Sequence, residues 1–206
     1  FSDGSAQIRR GQRVSGGRIV GGSEISIESI PYQVSVRFYD LHICGGSILS
    51  SKFCLSAAHC TYPFPKLGFS VRAGSSYSDR GGSIHNVSKI IEHPRFDPSI
   101  LDYDASILTL SDPIEYDKFR QPIRLPFFGE KTRVGSIVAT SGWGLTLNAN
   151  ETNTSLRIAE LRISLLSECH EAYIDDGGVT LRMICAYAEG RDSCSGGEIK
   201  LLIKQF

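Results

Sequence analysis

Three short segments carry residues whose types could together perform acyl transfer. A histidine stands in residues 55–60, an aspartate in residues 102–104 and a serine in residues 192–197. The order His, Asp, Ser along a chain is one of the few recurrent orders among triad hydrolases. Taken alone, each residue has a simpler interpretation. Such a histidine is more often a packed or surface residue than a catalyst, and such an aspartate is usually a loop carboxylate or a cap.

Composition narrows the class of protein. The chain has 206 residues, 41% of them hydrophobic, which suits one large or two small globular units with a core. It has 22 basic and 22 acidic residues, so the formal net charge of zero creates no broad attraction to nucleic acid or anionic membranes. No apolar run reaches the roughly 18 residues that a membrane helix needs. We therefore expect neither nucleic acid nor membrane as a partner.

The cysteines favour disulfides over a metal site. None of the six forms a Cys-x-x-Cys pair, and no histidine stands at zinc spacing from a cysteine pair, so we predict no metal. Glycosylation triplets begin at Asn86, Asn150 and Asn153. Both features indicate a secreted, extracellular glycoprotein.

Apolar periodicity predicts an all-β fold. Residues 1–17 have almost none and are interpreted as a flexible leader, whereas residues 32–38 alternate as a strand with one buried face does. Further strands are predicted at 43–49, 84–91, 106–110, 136–141 and 156–165, the last with a bulge, and a short helix capped by a serine at 167–174. Two prolines bracket residues 122–126, a predicted linker between two halves.

Five segments together resemble the trypsin-like serine endopeptidases, and among them arthropod digestive trypsins. They occur in the family's order and span the chain from Arg18 to Gly197. The segments are Arg-Ile-Val-Gly-Gly at 18–22, Leu-Ser-Ala-Ala-His-Cys at 55–60, Asp-Tyr-Asp-Ala at 102–105, Ser-Gly-Trp-Gly at 141–144 and Asp-Ser-Cys at 192–194.

The resemblance assigns a role to each candidate site residue. His59 would be the general base, because an imidazole near neutrality can accept and return a proton. Asp104 would orient that imidazole, and Ser195 would be the nucleophile that forms the acyl-enzyme. Asp192 would bind the Arg or Lys side chain of a protein or peptide substrate. No cofactor is implied.

The resemblance also implies a zymogen and a disulfide pattern. Cleavage between Arg18 and Ile19 would release an activation segment, residues 1–18. It would also free the ammonium group of Ile19, which in the family pairs with a buried carboxylate. The implied disulfides are Cys44 with Cys60 and Cys169 with Cys185. Cys54 would be a buried thiol, and Cys194 would lack its family partner.

One segment departs from the family. Three residues that relatives carry between the cysteine and the nucleophile are absent between Cys194 and Ser195. They include a glycine whose N–H belongs to the oxyanion hole, and losing one such donor lowers the rate about 10²- to 10³-fold. They also include the aspartate that would pair with the Ile19 ammonium. Nine residues follow Gly197 and match nothing in the family.

The expected architecture is two antiparallel Greek-key β-barrels of the trypsin type, with the second incomplete. The first would span residues 19–125 and the truncated second 126–206. We expect a secreted monomeric serine endopeptidase that cleaves after Arg or Lys, with activity impaired by the missing oxyanion loop and last strands, and with protease inhibitors as candidate partners. The alternatives are a non-catalytic homologue that acts as a binding protein or decoy, and a splice or gene-model product.

Overall fold

The computed structural model describes residues 22–127, 129–130, 132–144 and 152–187. Within these ranges the chain is mostly β, with ten strands and one short α-helix. Arg18, Ile19, Asp192, Cys194 and Ser195 lie outside the described residues. No helix within these ranges has the length and apolar character needed to cross a membrane.

Six strands of the first half close into an antiparallel barrel in the order β2-β3-β4-β7-β6-β5. Closure pairs every strand on both sides, which leaves no exposed edge. The strands are β2 (Gln33–Phe38), β3 (Leu41–Ser50), β4 (Phe53–Ser56), β5 (Phe69–Ala73), β6 (Ser83–Glu92) and β7 (Ser106–Leu110).

The barrel core is built from the inward-facing residues of these strands. Val34 and Val36 of β2, Ile48 of β3 and Leu108 of β7 are completely buried. Their β-branched and leucine side chains fill the interior of a small barrel, which is packed rather than open. The six strands therefore enclose one hydrophobic core, and four of them correspond to predicted strands, whereas β4 and β5 were not predicted.

The prediction that β2 buries only one face is wrong. Gln33 and Ser35, on its second face, are also buried. The Gln33 side-chain oxygen accepts a hydrogen bond of 2.8 Å from Ser141 Oγ, because the second half of the chain packs against this strand. Polar residues on that face mark a contact between halves rather than a surface exposed to water.

The second half forms an open sheet in the part of the chain that the structure describes. The strand β9 (Arg157–Ile163) pairs along its length with β8 (Ile137–Gly142), and on its other side with β1 (Ser23–Glu24) and β10 (Ala186–Tyr187). The strand β1 precedes the barrel, so it ties the start of the described chain to the second half.

Two details of the second half correct the sequence predictions. The pairing of β8 with β9 runs in unbroken register, so the bulge expected in residues 156–165 is absent there. The out-of-phase Leu156 instead precedes β9 and packs with Ile27, Ile30 and Trp143 in a separate buried cluster. The helix α1 (Leu166–Ala172) begins after Leu165, which makes no side-chain cap, so the predicted serine cap is also wrong.

Candidate active site

The pairing of two barrel strands brings His59 and Asp104 together. His59 lies in a 3₁₀ turn, Ala58–Cys60, shortly after β4 ends, and Asp104 lies two residues before β7 begins. These strands are antiparallel neighbours with Ser56 opposite Ser106. The end of one and the start of the other therefore meet at the same rim of the barrel, although 45 residues separate the two side chains in sequence.

Both carboxylate oxygens of Asp104 bind the same histidine. Oδ2 lies 2.6 Å from His59 Nδ1, and Oδ1 accepts the backbone N–H of His59 at 2.8 Å. A carboxylate accepts but does not donate, so this contact places the imidazole proton on Nδ1 and leaves Nε2 as a proton acceptor. The Asp104 side chain is 6% exposed and that of His59 is 30% exposed, so the carboxylate is shielded while the imidazole reaches the surface.

A disulfide anchors the histidine turn to the barrel. Cys60, the residue after His59, is bonded to Cys44 of β3, with 6.1 Å between their Cα atoms. Closing a loop of this size stabilises the fold by roughly 3 kcal/mol in the chain-entropy model. A second disulfide joins Cys169 of α1 to Cys185, just before β10.

The sulfur atoms near His59 are not suited to bind a metal. The Sγ atoms of Cys44 and Cys60 and a ring nitrogen of His59 lie within 4.8 Å of one another. Zinc binds thiolates, however, and these sulfurs are oxidised in the disulfide.

Elsewhere in the barrel, burial raises the pKa of the free Cys54 thiol to about 12, so it packs as an inert apolar group.

His42 links the two halves of the chain, and sequence reasoning assigned it no role. Its Nδ1 accepts a hydrogen bond of 2.7 Å from Ser35 Oγ, and its Nε2–H donates to the carbonyl oxygen of Trp143 at 3.1 Å. Burial lowers the pKa of His42, against the smaller opposing effect of the Trp143 carbonyl. The imidazole is therefore held neutral in the folded state.

We expect this buried histidine to make stability depend on pH. Because the pKa of His42 is lowered on folding from an ordinary 6.5, its contribution is complete above that value and is lost as the pH falls below it toward the folded pKa. His42→Gln should therefore lose less unfolding free energy than the wild type between about pH 7.5 and pH 5.5, measured by urea titration. An equal loss in both proteins would contradict this account.

The loop before Asp104 has two non-glycine residues in the left-handed backbone region. Leu101 has φ of 55° and Tyr103 has φ of 52°. Such residues cost of order 1–3 kcal/mol each and persist only where surrounding contacts hold them. Between them, Asp102 is nearly buried and is paired with Arg182 of the second half, which lowers the pKa of Asp102 to about 2.

Of the predicted triad, the described residues contain the histidine and the aspartate, and the structure brings these two together. Ser195 and Asp192 lie outside the described residues, as does the Arg18–Ile19 bond. In hydrolases with a Ser-His-Asp triad, a histidine bound in this way to a carboxylate is the general base.

Comparison with known proteins identifies the family. The trypsin family matches residues 19–197. The chain is 40% identical to Trypsin 5G1 of Aedes aegypti over 88% of this chain and 69% of the relative. It is 41% identical to a trypsin of Simulium vittatum over 87% and 75% of the two chains. The protein belongs to the trypsin family of serine-type endopeptidases.

Solved structures resemble the fold as well. Neuropsin, a serine protease of mouse brain, matches with a TM-score of 0.75 and 27% identity over 90% of this chain and 82% of its own. The inactivated protease paralogue S-D1 of the scabies mite matches with a TM-score of 0.75 and 28% identity, over 83% and 74% of the two chains. Structures similar to this fold thus include a serine protease and an inactivated protease paralogue.

Proposed function

We propose that the protein is a secreted, trypsin-like serine endopeptidase that cleaves after Arg or Lys, with reduced turnover. His59 is the general base, Asp104 orients it, and Ser195 is the nucleophile. The observation that carries the proposal is the pair of hydrogen bonds from His59 to the shielded carboxylate of Asp104, at 2.6 and 2.8 Å. Both disulfides and the family's trypsins support an extracellular location.

The chemistry follows from the fixed tautomer of His59. As Ser195 Oγ attacks the carbonyl carbon, its proton passes to His59 Nε2, and the imidazolium is stabilised by Asp104. That proton then goes to the departing amine, the C–N bond breaks, and an acyl-enzyme forms on Ser195. A water molecule then attacks the acyl-enzyme with His59 again as the base, which releases the carboxylic acid and restores Ser195.

Specificity and activation extend the proposal to residues outside the described ranges. Asp192 accepts charge-assisted hydrogen bonds from a substrate guanidinium or ammonium group. Cleavage after Arg18 removes the activation segment 1–18 and leaves a first barrel of residues 19–125 and a second unit of residues 126–206. The start of the family match at residue 19 supports the boundary of the activation segment.

Reduced turnover follows from the departure beside the nucleophile. Ser195 directly follows Cys194, so the family's glycine donor to the oxyanion hole is missing between them. A single lost donor costs about 10²- to 10³-fold in kcat, because its hydrogen bond to the developing negative oxygen is no longer made. We therefore expect His59 and Asp104 to form a competent general base, while the oxyanion formed by attack of Ser195 lacks one hydrogen-bond donor.

A second candidate function is a non-catalytic protein that binds partners or inhibitors through this scaffold. Two observations favour it: the altered segment at Ser195 and the similarity to the inactivated protease paralogue of the scabies mite. In that case the His59–Asp104 pair would be a retained structural feature with no substrate chemistry.

Covalent labelling separates the two functions. The full chain, cleaved after Arg18, is treated with an arginine-type diphenyl phosphonate and mapped by peptide mass spectrometry. We expect slow modification of Ser195, abolished in His59→Ala and preserved in the matched control Ser193→Ala. No modification of Ser195 after an exposure about 10³-fold longer than the one that fully labels the Aedes aegypti trypsin would favour the binding protein instead.

A further inference from the structure

Asp102 is held by a set of donors from the second half of the chain. Arg182 donates from Nε to Oδ1 at 2.9 Å and from its terminal nitrogen Nη2 to Oδ2, so the guanidinium grips both carboxylate oxygens. Thr180 Oγ1 donates to Oδ1 at 2.9 Å. Such two-point pairs between arginine and carboxylate fix geometry as well as charge. Asp102 itself is only 6% exposed.

The same arginine also covers the next residue, Tyr103. The Arg182 guanidinium carbon lies 4.3 Å from the centre of the Tyr103 ring, and His93 stacks on that ring at 4.6 Å with an angle of 14° between the planes. The backbone N–H of Tyr103 donates to Asp102 Oδ1 at 3.0 Å. These contacts hold Tyr103 in its left-handed conformation, which a tyrosine does not favour unaided.

Asp104 follows Tyr103 directly, so the backbone of Tyr103 determines where its carboxylate points. That carboxylate must meet two donors of His59 at once, at 2.6 and 2.8 Å. A displacement of about 1 Å at such a site is enough to lower a reaction rate 10²-fold. The orientation of Asp104 therefore depends on whatever keeps Tyr103 in place.

We infer that Arg182, with Thr180, is a positioning residue for the His59–Asp104 pair, acting through Asp102 and Tyr103. It lies in the second half of the chain and grips the loop that carries Asp104 in the first. Docking of the two halves thereby completes the orientation of the base. Because the folded pKa of Asp102 is about 2, the carboxylate stays charged and the pair stays formed at neutral and mildly acidic pH.

The importance of this role for catalysis depends on the proposed function, whereas its test does not. The full chain is labelled with [¹⁵N]histidine, and the two nitrogen shifts of His59 are assigned with a His59→Gln variant. In the wild type we expect the Nδ1–H form alone, with a slowly exchanging Nδ1 proton. Arg182→Ala should lose that proton resonance and show nitrogen shifts averaged between both tautomers.

Matched variants keep the outcome decisive. Arg80 also contacts a tyrosine ring, at 3.6 Å from Tyr77, and pairs with its neighbour Asp79, so Arg80→Ala should leave His59 unchanged. Arg182→Lys keeps the charge without the two-point grip and should restore the Nδ1 proton only in part. If Arg182→Ala does not fold, Arg182→Lys and Thr180→Val decide the matter.

Wild-type His59 shifts in folded Arg182→Ala, or in both Arg182→Lys and Thr180→Val, would overturn the positioning role. Failure of the proposed function is separately visible. If Ser195 is never labelled but the His59 nitrogen shifts change in Arg182→Ala, the proposed function is wrong and the positioning role stands. If Ser195 is labelled but the His59 shifts do not change in Arg182→Ala, the proposed function stands and the positioning role is wrong.

Discussion

Replacing Asp104 with asparagine should lower kcat for an arginine ester about 10⁴-fold relative to the unaltered chain. This magnitude is the one measured for the equivalent change in trypsin, a member of this family. The reason is visible in the hydrogen bonds: each carboxylate oxygen accepts one donor from His59. Asparagine has a single acceptor oxygen, and its amide N–H₂ would face the second donor.

The imidazole can relieve that conflict only by moving its proton to Nε2. In that tautomer Nε2 can no longer accept the proton of the serine, so the base is lost while the fold is kept. Ester hydrolysis at high enzyme concentration measures the effect, with circular dichroism as the check on folding. Asp97→Asn is the matched control, because Asp97 lies in the same loop and its Oδ1 accepts from the backbone N–H and the hydroxyl of Ser99. A tenfold loss or less in Asp104→Asn would argue against the assigned role.

Replacing Leu108 with alanine should lower the free energy of unfolding by about 2–5 kcal/mol. Leu108 is completely buried in β7, between Cys54 of β4 and Ile90 of β6 across the barrel wall. Removing its branched end forfeits the burial of apolar surface and leaves a cavity that a closed barrel cannot collapse to fill. Urea titration followed by far-ultraviolet circular dichroism measures the change.

The neighbouring Thr109 supplies the control for this prediction. It lies on the same strand with its side chain on the opposite face and is only partly buried. Thr109→Ala should change the unfolding free energy by no more than about 0.5 kcal/mol. Equal losses in the two variants would mean that the barrel interior does not dominate the stability of this half.

Only part of the barrel could be predicted from strand patterns in the sequence, which indicated four of its six strands but neither β4 nor β5. Val34 and Val36 of β2 alternate with polar neighbours, whereas Leu108 of β7 follows the apolar Ile107. The second half was harder to predict, since Leu156 lies before β9 and packs with Ile27, Ile30 and Trp143, out of phase with the strand that follows. A bulge was the wrong explanation for that change of phase.

The candidate site, like the fold, could be predicted from sequence only in part. His59 and Asp104 stood out through short motifs, and strand pairing explains their meeting at one rim of the barrel. His42 lies in no such motif, and the motif that contains Asp102 assigned a role only to Asp104, because the roles of His42 and Asp102 depend on partners 101 and 80 residues away. Contacts between halves of a chain leave no local periodicity in the sequence.

The most direct test of the proposed function is the hydrolysis of an arginine ester by the full chain after cleavage at Arg18. The Aedes aegypti trypsin, measured in parallel, provides the reference. We predict measurable hydrolysis that requires Ser195 and His59, with kcat at least about 10²-fold below the reference, because an oxyanion donor is missing beside the nucleophile. A kcat within tenfold of the reference, or hydrolysis that survives in Ser195→Ala, would contradict this account.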